Sequence, residues 1–200
     1  YLAAIFAVAL LIGVGYAALS ATLKINGQTT ISKASWDVHF ESITTNDSST
    51  IKLYAPSDTN LSSPLSSITS TNATTLNYRV NLTGPDASAA TTHNVTAKVV
   101  NKGTIDATVS TVSLPTAASV TSTNTSAVTA ISKMMTIKCT YDDGTEIKTG
   151  DVIKAGASKN IVCKHHYKAA SELTQSDLNV WNNITSATGN LSLTLNFTAK

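Results

Sequence analysis

Charge is what this sequence has least of. Only 13% of its 200 residues are Asp, Glu, Lys or Arg, against a usual level of about 25%. The formal net charge is +2. Nucleic acid is met by a basic stripe, so this balance excludes it as a partner. The signatures of several enzyme chemistries are missing too: no HExxH zinc helix, no GxSxG elbow and no phosphate-binding P-loop. No catalytic residue, metal site or cofactor is therefore expected, and the chain is not read as an enzyme.

Cysteine occurs twice, at Cys139 and Cys163, without CxxC spacing, which disfavours a thiolate metal site. Both lie in alternating runs, MTIKCTY and NIVCKHHY. In an exported protein such a pair is expected to form a disulfide, which would contribute about 3 kcal/mol by closing a loop of this length. Buried free thiols are the alternative. Histidine offers little more. His165 and His166 are adjacent on a strand-like run, so their side chains point to opposite faces and do not chelate one ion as a pair. His39 and His93 are expected to be isolated. The run from Asp142 to Glu146, DDGTE, lacks the alternating carboxylates of a calcium loop and reads as a solvated turn.

Hydroxyl groups take the place of charge. Ser and Thr make up 56 of the 200 residues. The sequon Asn-x-Ser/Thr occurs at Asn46, Asn60, Asn72, Asn81, Asn94, Asn124, Asn183, Asn190 and Asn196, nine of the fifteen asparagines. The Ser/Thr content alone would give about four. The reading is an exposed surface decorated with glycans, on these asparagines or on Ser/Thr-rich loops. Composition with a chance excess is the alternative.

The first 23 residues, YLAAIFAVALLIGVGYAALSATL, carry no charge. As a helix they would span roughly 35 Å, enough to cross a bilayer. Three readings compete. One is a secretory signal cut near Ala17-Ala18 or Ser20-Ala21. The second is a permanent anchor. The third is a helix held first in the membrane and later packed against copies of itself. In the third, Tyr1, Leu2, Ile5, Phe6, Val8, Leu10, Leu11, Ile12, Val14 and Leu19 form the apolar packing surface. Gly13 and Gly15 each weaken the helix by roughly 1 kcal/mol relative to Ala and loosen it locally. Small residues such as Ala3, Ala7 and Ala17 let neighbouring helices approach. The sequence opens on this run at Tyr1, without Met or a basic region ahead of it, as expected after cutting by a prepilin-type peptidase.

Beyond Lys24 the period changes from helical to alternating. Asn26-Gly27 is a hairpin-type turn signal. Trp36, Val38 and Phe40 share one strand face, with Trp36 expected in the core. Alternating runs follow at 76–82, 94–100, 105–114, 134–141, 157–167 and 191–199. The runs at 94–100 and 105–114 are expected to form a hairpin, and 146–153 another around Thr149-Gly150-Asp151. Residues 115–130 read as a polar loop with a short strand or a turn of helix. SELTQSDLN reads as a short helix capped by Ser171 or Thr174. Leu191, Leu193, Leu195 and Phe197 share one face of the final strand. The expected fold is mainly β: an apolar α-helix over 1–23, then an antiparallel β-sandwich of about 8–10 strands over 24–200.

Two resemblances attach to these stretches. YLAAIFAVALLIGVGYAAL resembles the mature N-terminus of type IV pilins, whose helices bundle into a filament core. Ile5 stands where bacterial members usually carry Glu, so the run is more similar to archaeal pilins. The pieces GYAALSATLKINGQTTI, WDVHF, VVNKGTIDATVSTV, YDDGTEIKTGDVIKAGASKNIVC and LSLTLNFTA resemble the TasA/camelysin group of exported matrix-fibre proteins. That resemblance implies fibres in which a strand of one subunit completes the sheet of the next. Some members of that group are named peptidases, an activity that no catalytic constellation here supports. The function expected is a structural subunit of an extracellular surface filament serving adhesion or biofilm. Its partners would be copies of itself, the membrane before assembly, and a host surface or glycans. A donor-strand matrix fibre and a membrane-anchored adhesin are the alternatives.

Overall fold

The computed structural model describes residues 34–84 and 90–200. The apolar stretch 1–23, with its expected packing residues and Gly13 and Gly15, lies outside the described residues, as does the Asn26-Gly27 turn. Among the described residues no helix is long and apolar enough to cross a membrane.

Ala34–Lys200 is one compact, mainly β unit. Its strands are β1 (Val38–Thr45), β2 (Ile51–Tyr54), β3 (Pro64–Leu65), β4 (Ser67–Ile68), β5 (Thr75–Leu82), β6 (Thr91–Asn101), β7 (Ala107–Ser113), β8 (Met135–Tyr141), β9 (Val152–Ile153), β10 (Ser158–Tyr167) and β11 (Ala187–Ala199). Its α-helices are α1 (Thr125–Met134) and α2 (Gln175–Asn179). The strands form two antiparallel sheets. The first has the order β4-β1-β6-β10-β8, the second β3-β2-β5-β11-β7-β9. Inward residues of both sheets share one hydrophobic core, giving a β-sandwich-like fold.

Alternation explains the central strands. In β5, Leu76, Tyr78, Val80 and Leu82 are buried, while Thr75, Asn77, Arg79 and Asn81 between them are half-buried on the other face. In β11, Leu191, Leu193 and Leu195 are buried, but Phe197 is only half-buried. The register shift between Asn196 and Phe197 puts the extra residue, Ser110, on β7, and Phe197 still packs against the core as the last of the inward series. A second shift, between Phe40 and Ser42 in β1, lets both Phe40 and Ile43 enter the core. Trp36 is not a core residue. It precedes β1 and is 46% exposed.

Both expected hairpins are corrected by the structure. β6 and β7 lie in different sheets. The buried Asn101 turns the chain between them: its Nδ2 donates to Ile105 O at 2.8 Å and Ile153 O at 3.0 Å, and its Oδ1 accepts from Gly103 N at 3.0 Å. Gly103 is required here because a Cβ would stand 2.5 Å from Ser35 O. The segment 146–153 forms no hairpin of its own. Only β9 is strand, and it pairs with β7. Asp151 Oδ2 accepts from Lys148 N at 2.9 Å and Tyr141 Oη at 3.0 Å, curling the preceding residues into a turn.

Residues 115–130 hold more helix than a single turn. Asn124 caps α1, its Oδ1 accepting from Ser126 N at 2.9 Å and Ala127 N at 3.2 Å. Ala127, Ala130, Ile131 and Met134 lie at i, i+3, i+4 and i+7 and are all buried. The helix packs on β11 at Gly189, where a Cβ would come within 2.2 Å of Val120 Cγ1. α2 is capped by Thr174, whose Oγ1 accepts from Asp177 N at 3.2 Å.

Candidate functional site

The free side of the sandwich is built around the two cysteines. Cys139 on β8 stands opposite Cys163 on β10, with Cα atoms 4.0 Å apart, and a disulfide joins them. Such a close antiparallel pair is of the type that exchanges no backbone hydrogen bonds, so the N–H of Cys139 points away from β10. Tyr141, two residues on, confirms the phase: its N–H donates outward to Thr145 O at 2.9 Å. Ile137 shares that phase. β8 ends the first sheet, and among the described residues no strand pairs with its outer edge. Beside it is a groove of about 460 Å³, lined by Leu114 and Pro115 on one side and by Ile137 and Thr140 on the other. Half-buried Ile137 and Leu114 give it apolar walls. Lys138, exposed at mid-strand, is the kind of residue that keeps an edge from pairing indiscriminately.

The histidines divide as alternation requires. His166 lies on the outer side, 3.5 Å from Glu172. His165 is fully buried and faces the second sheet. Its Nδ1 is 3.1 Å from Cys163 O, which only accepts, so Nδ1 carries the proton. Its Nε2 therefore accepts from the Tyr78 hydroxyl at 2.8 Å, tying the two sheets together through the core. Burial pushes the imidazole down from 6.5 to about 4 and the Tyr78 phenol well above its ordinary value.

His93 is not isolated. It stands opposite His165 on β6, with Nδ1 3.2 Å from Asp47 Oδ2. Burial opposes ionisation of Asp47. Hydrogen bonds from Ser49 and Thr50 outweigh it and hold the carboxyl well below the usual range. His39 also has a partner, Asp37 Oδ1 at 2.6 Å. On the outer face Lys98 and Lys102, at 2.7 and 2.9 Å, hold the Glu41 carboxyl down at about 2. Among the described residues no group of three His, Cys, Asp or Glu side chains is set to hold a metal ion.

The sequon asparagines fall into different environments. Asn46, Asn60, Asn72, Asn124 and Asn196 are exposed, while Asn81, Asn94 and Asn190 are half-buried in strands. Several are already engaged. Asn46 Oδ1 accepts from Asn94 N at 2.7 Å, Asn190 Oδ1 from Arg79 Nε at 2.8 Å, and Asn196 Nδ2 donates to Thr111 Oγ1 at 2.7 Å. Asn124 is the cap of α1. The side chain of Asn183 lies outside the described part.

The inter-sheet pair Tyr78–His165 and the Asn101 crossover escaped sequence reasoning. The partners of the first are 87 residues apart, and no local pattern joins them. For Asn101 the signal was the Asn-x-Gly triplet itself, which marks a turn but not the sheet it leads to. No family model matches the chain, and no curated protein or solved structure matches it either.

Proposed function

We propose that the chain is the structural subunit of an extracellular surface filament. The apolar segments 1–23 of many copies pack in its core, inserted in the membrane before assembly. The β units stand outside, serving adhesion or biofilm. One combination carries this reading: an uncharged stretch of membrane-spanning length on the same chain as a disulfide-tied, hydroxyl-rich β unit. The disulfide fits an oxidising compartment outside the cytosol. Moving an apolar helix of this length from water into a helical core buries on the order of 1,500 Å², worth tens of kcal/mol at about 25 cal/mol/Å². That is ample to hold a polymer.

Cryo-microscopy of filaments sheared from the cell surface tests the proposal. Helical density for residues 1–23 at the filament axis is the expected result, and Ile12→Arg should abolish filaments while leaving the protein in the membrane. Recovery of the segment only in lipid, with no filament containing it, overturns the reading.

The edge of β8, unpaired among the described residues, favours a second reading, assembly by strand addition between copies. An added strand would bond to the outward N–H groups of Ile137 and Cys139 and place apolar side chains in the groove beside Leu114. Ile137→Pro removes one of these donors, so fibres of this kind would be lost, whereas helix-cored filaments would persist.

A further inference from the structure

Arg79 is the only arginine of the chain. It sits on β5, on the outward face of the second sheet, and the sequence gives it no special place. Its setting does. Its Nε donates to Asn190 Oδ1 at 2.8 Å. Its guanidinium carbon lies 5.1 Å from the centre of the Tyr54 ring, which it helps to bury. One nitrogen and one face are thus fixed, and the plane is held in a single orientation. Among the described residues no carboxylate pairs with it and no acceptor engages its terminal nitrogens, which form a fork.

That fork opens on a cavity of about 530 Å³ whose walls include Asn60, Thr123, Asn124, Thr188 and Asn190. No Asp or Glu lines this cavity. Asn190 also lines a second cavity of about 250 Å³, bounded by Leu61, Asn77 and Ser192. The two make a groove along the outer face of β11. One wall is the loop after β2, and its shape is held. Leu61 has a φ of 51°, a left-handed conformation that a branched side chain adopts at a cost of about 1 kcal/mol or more. Asp58 keeps it there, its Oδ2 accepting from Ser62 N at 2.9 Å and Ser63 N at 2.8 Å.

The chemistry on offer is one oriented guanidinium among amides and hydroxyls. A guanidinium fork binds a carboxylate through two parallel bonds. Amide and hydroxyl groups in a shallow groove match the alternating donors and acceptors of a sugar ring. A single cation is too few for a polyphosphate backbone, which needs a row of them. We propose that this groove binds an acidic saccharide, with the sugar carboxylate on Arg79 and its hydroxyls on Asn60, Thr123 and Thr188. The site does not depend on how copies assemble.

The test uses the full chain in detergent micelles, made in a host without N-glycosylation so that Asn60, Asn124 and Asn190 carry no glycan. The probes are tetragalacturonic acid, its methyl ester and inorganic sulfate, titrated by calorimetry. The acid is expected to bind at least about tenfold more tightly than the ester, the ratio for losing a charge-assisted pair. Arg79→Gln should weaken it by a similar factor. Because Arg79→Gln also uncovers Tyr54, a second variant, Thr123→Glu, sets a carboxylate at the exposed rim without disturbing the stack, and should weaken the acid to the same extent. Absence of acid binding at millimolar concentration, equal binding of acid and ester, or unchanged binding in Thr123→Glu overturns the proposal. Sulfate binding as tightly as the tetramer overturns the saccharide assignment. Filament formation is read by microscopy, so that proposal stands or falls on a separate result.

Discussion

Acid should loosen this sandwich at His165 before it reaches the carboxylates. The imidazole is fully buried and neutral, donating to Cys163 O and accepting from Tyr78. In the unfolded chain it protonates near 6.5, in the folded one near 4. The unfolded state therefore binds more protons between these values, and stability falls as pH falls through that window. The full gap corresponds to about 3 kcal/mol, of which about 2 kcal/mol is lost between pH 7 and pH 5. Glu41 and Asp47, with ordinary values of 4.5 and 3.8 and folded values lower still, lose their contributions only at more acid pH. The measurement is urea unfolding of the full chain in mild detergent at pH 7, 6 and 5, beside His165→Gln, which keeps polar atoms near Tyr78 but does not titrate. The wild type should lose about 2 kcal/mol more than the variant over that range. The other histidines are common to both proteins and cancel. Parallel losses in the two proteins, or a His165 imidazole NMR signal that titrates near 6.5, would refute the reasoning.

Three further perturbations follow from the packing. Replacing both cysteines by alanine removes a cross-link between residues 24 apart and should lower stability by about 3 kcal/mol in urea, with dithiothreitol doing the same to the wild type. Asn101→Ala leaves the buried carbonyls of Ile105 and Ile153 and the N–H of Gly103 without their partner. It should cost about 3 kcal/mol or more, seen as a lower urea midpoint. Gly189→Ala drives a methyl to 2.2 Å from Val120 and 2.8 Å from Ile131. It should cost about 1–3 kcal/mol in a thermal melt, because these side chains are too short to swing aside.

How far the sequence can be read is clear from individual strands. β5, β10 and β11 are visible as runs with period two, because one face of each meets the core and the other does not. The polarity of Leu76-Asn77-Tyr78-Arg79-Val80 already states which side is in. What periodicity does not state is which sheet a strand joins. β6 and β7 look like a hairpin with Asn101-Lys102-Gly103 between them, and the side chain of Asn101 sends them apart. Bulges defeat the pattern for a related reason. One inserted residue near Glu41 changes the inward phase between Phe40 and Ile43, and Trp36 stands before β1 begins, where alternation no longer governs burial. The helix α1 hides in a Thr- and Ser-rich stretch of low helix propensity, and tertiary burial of Ala127, Ile131 and Met134 overrides that preference. Its apolar spacing and the Asn124 cap were the legible signs. Arg79 was plain in the sequence, but its meaning depends on Tyr54 and Asn190, which three different strands bring together.

The position of β11 has a consequence for the order in which the molecule is made. It is the last strand along the chain yet lies in the interior of the second sheet, paired over eight positions with β5 and over six with β7. Until it arrives, β2 and β5 are severed from β7 and β9, and each half presents an unmatched edge and an uncovered apolar face. A ribosome emits the chain from the front, so β2, β5 and β7 are all available before β11 can close the sheet. The second sheet therefore closes only after the whole chain is available, because its central strand is the last one made. The late strand sets the delay before the unit can fold.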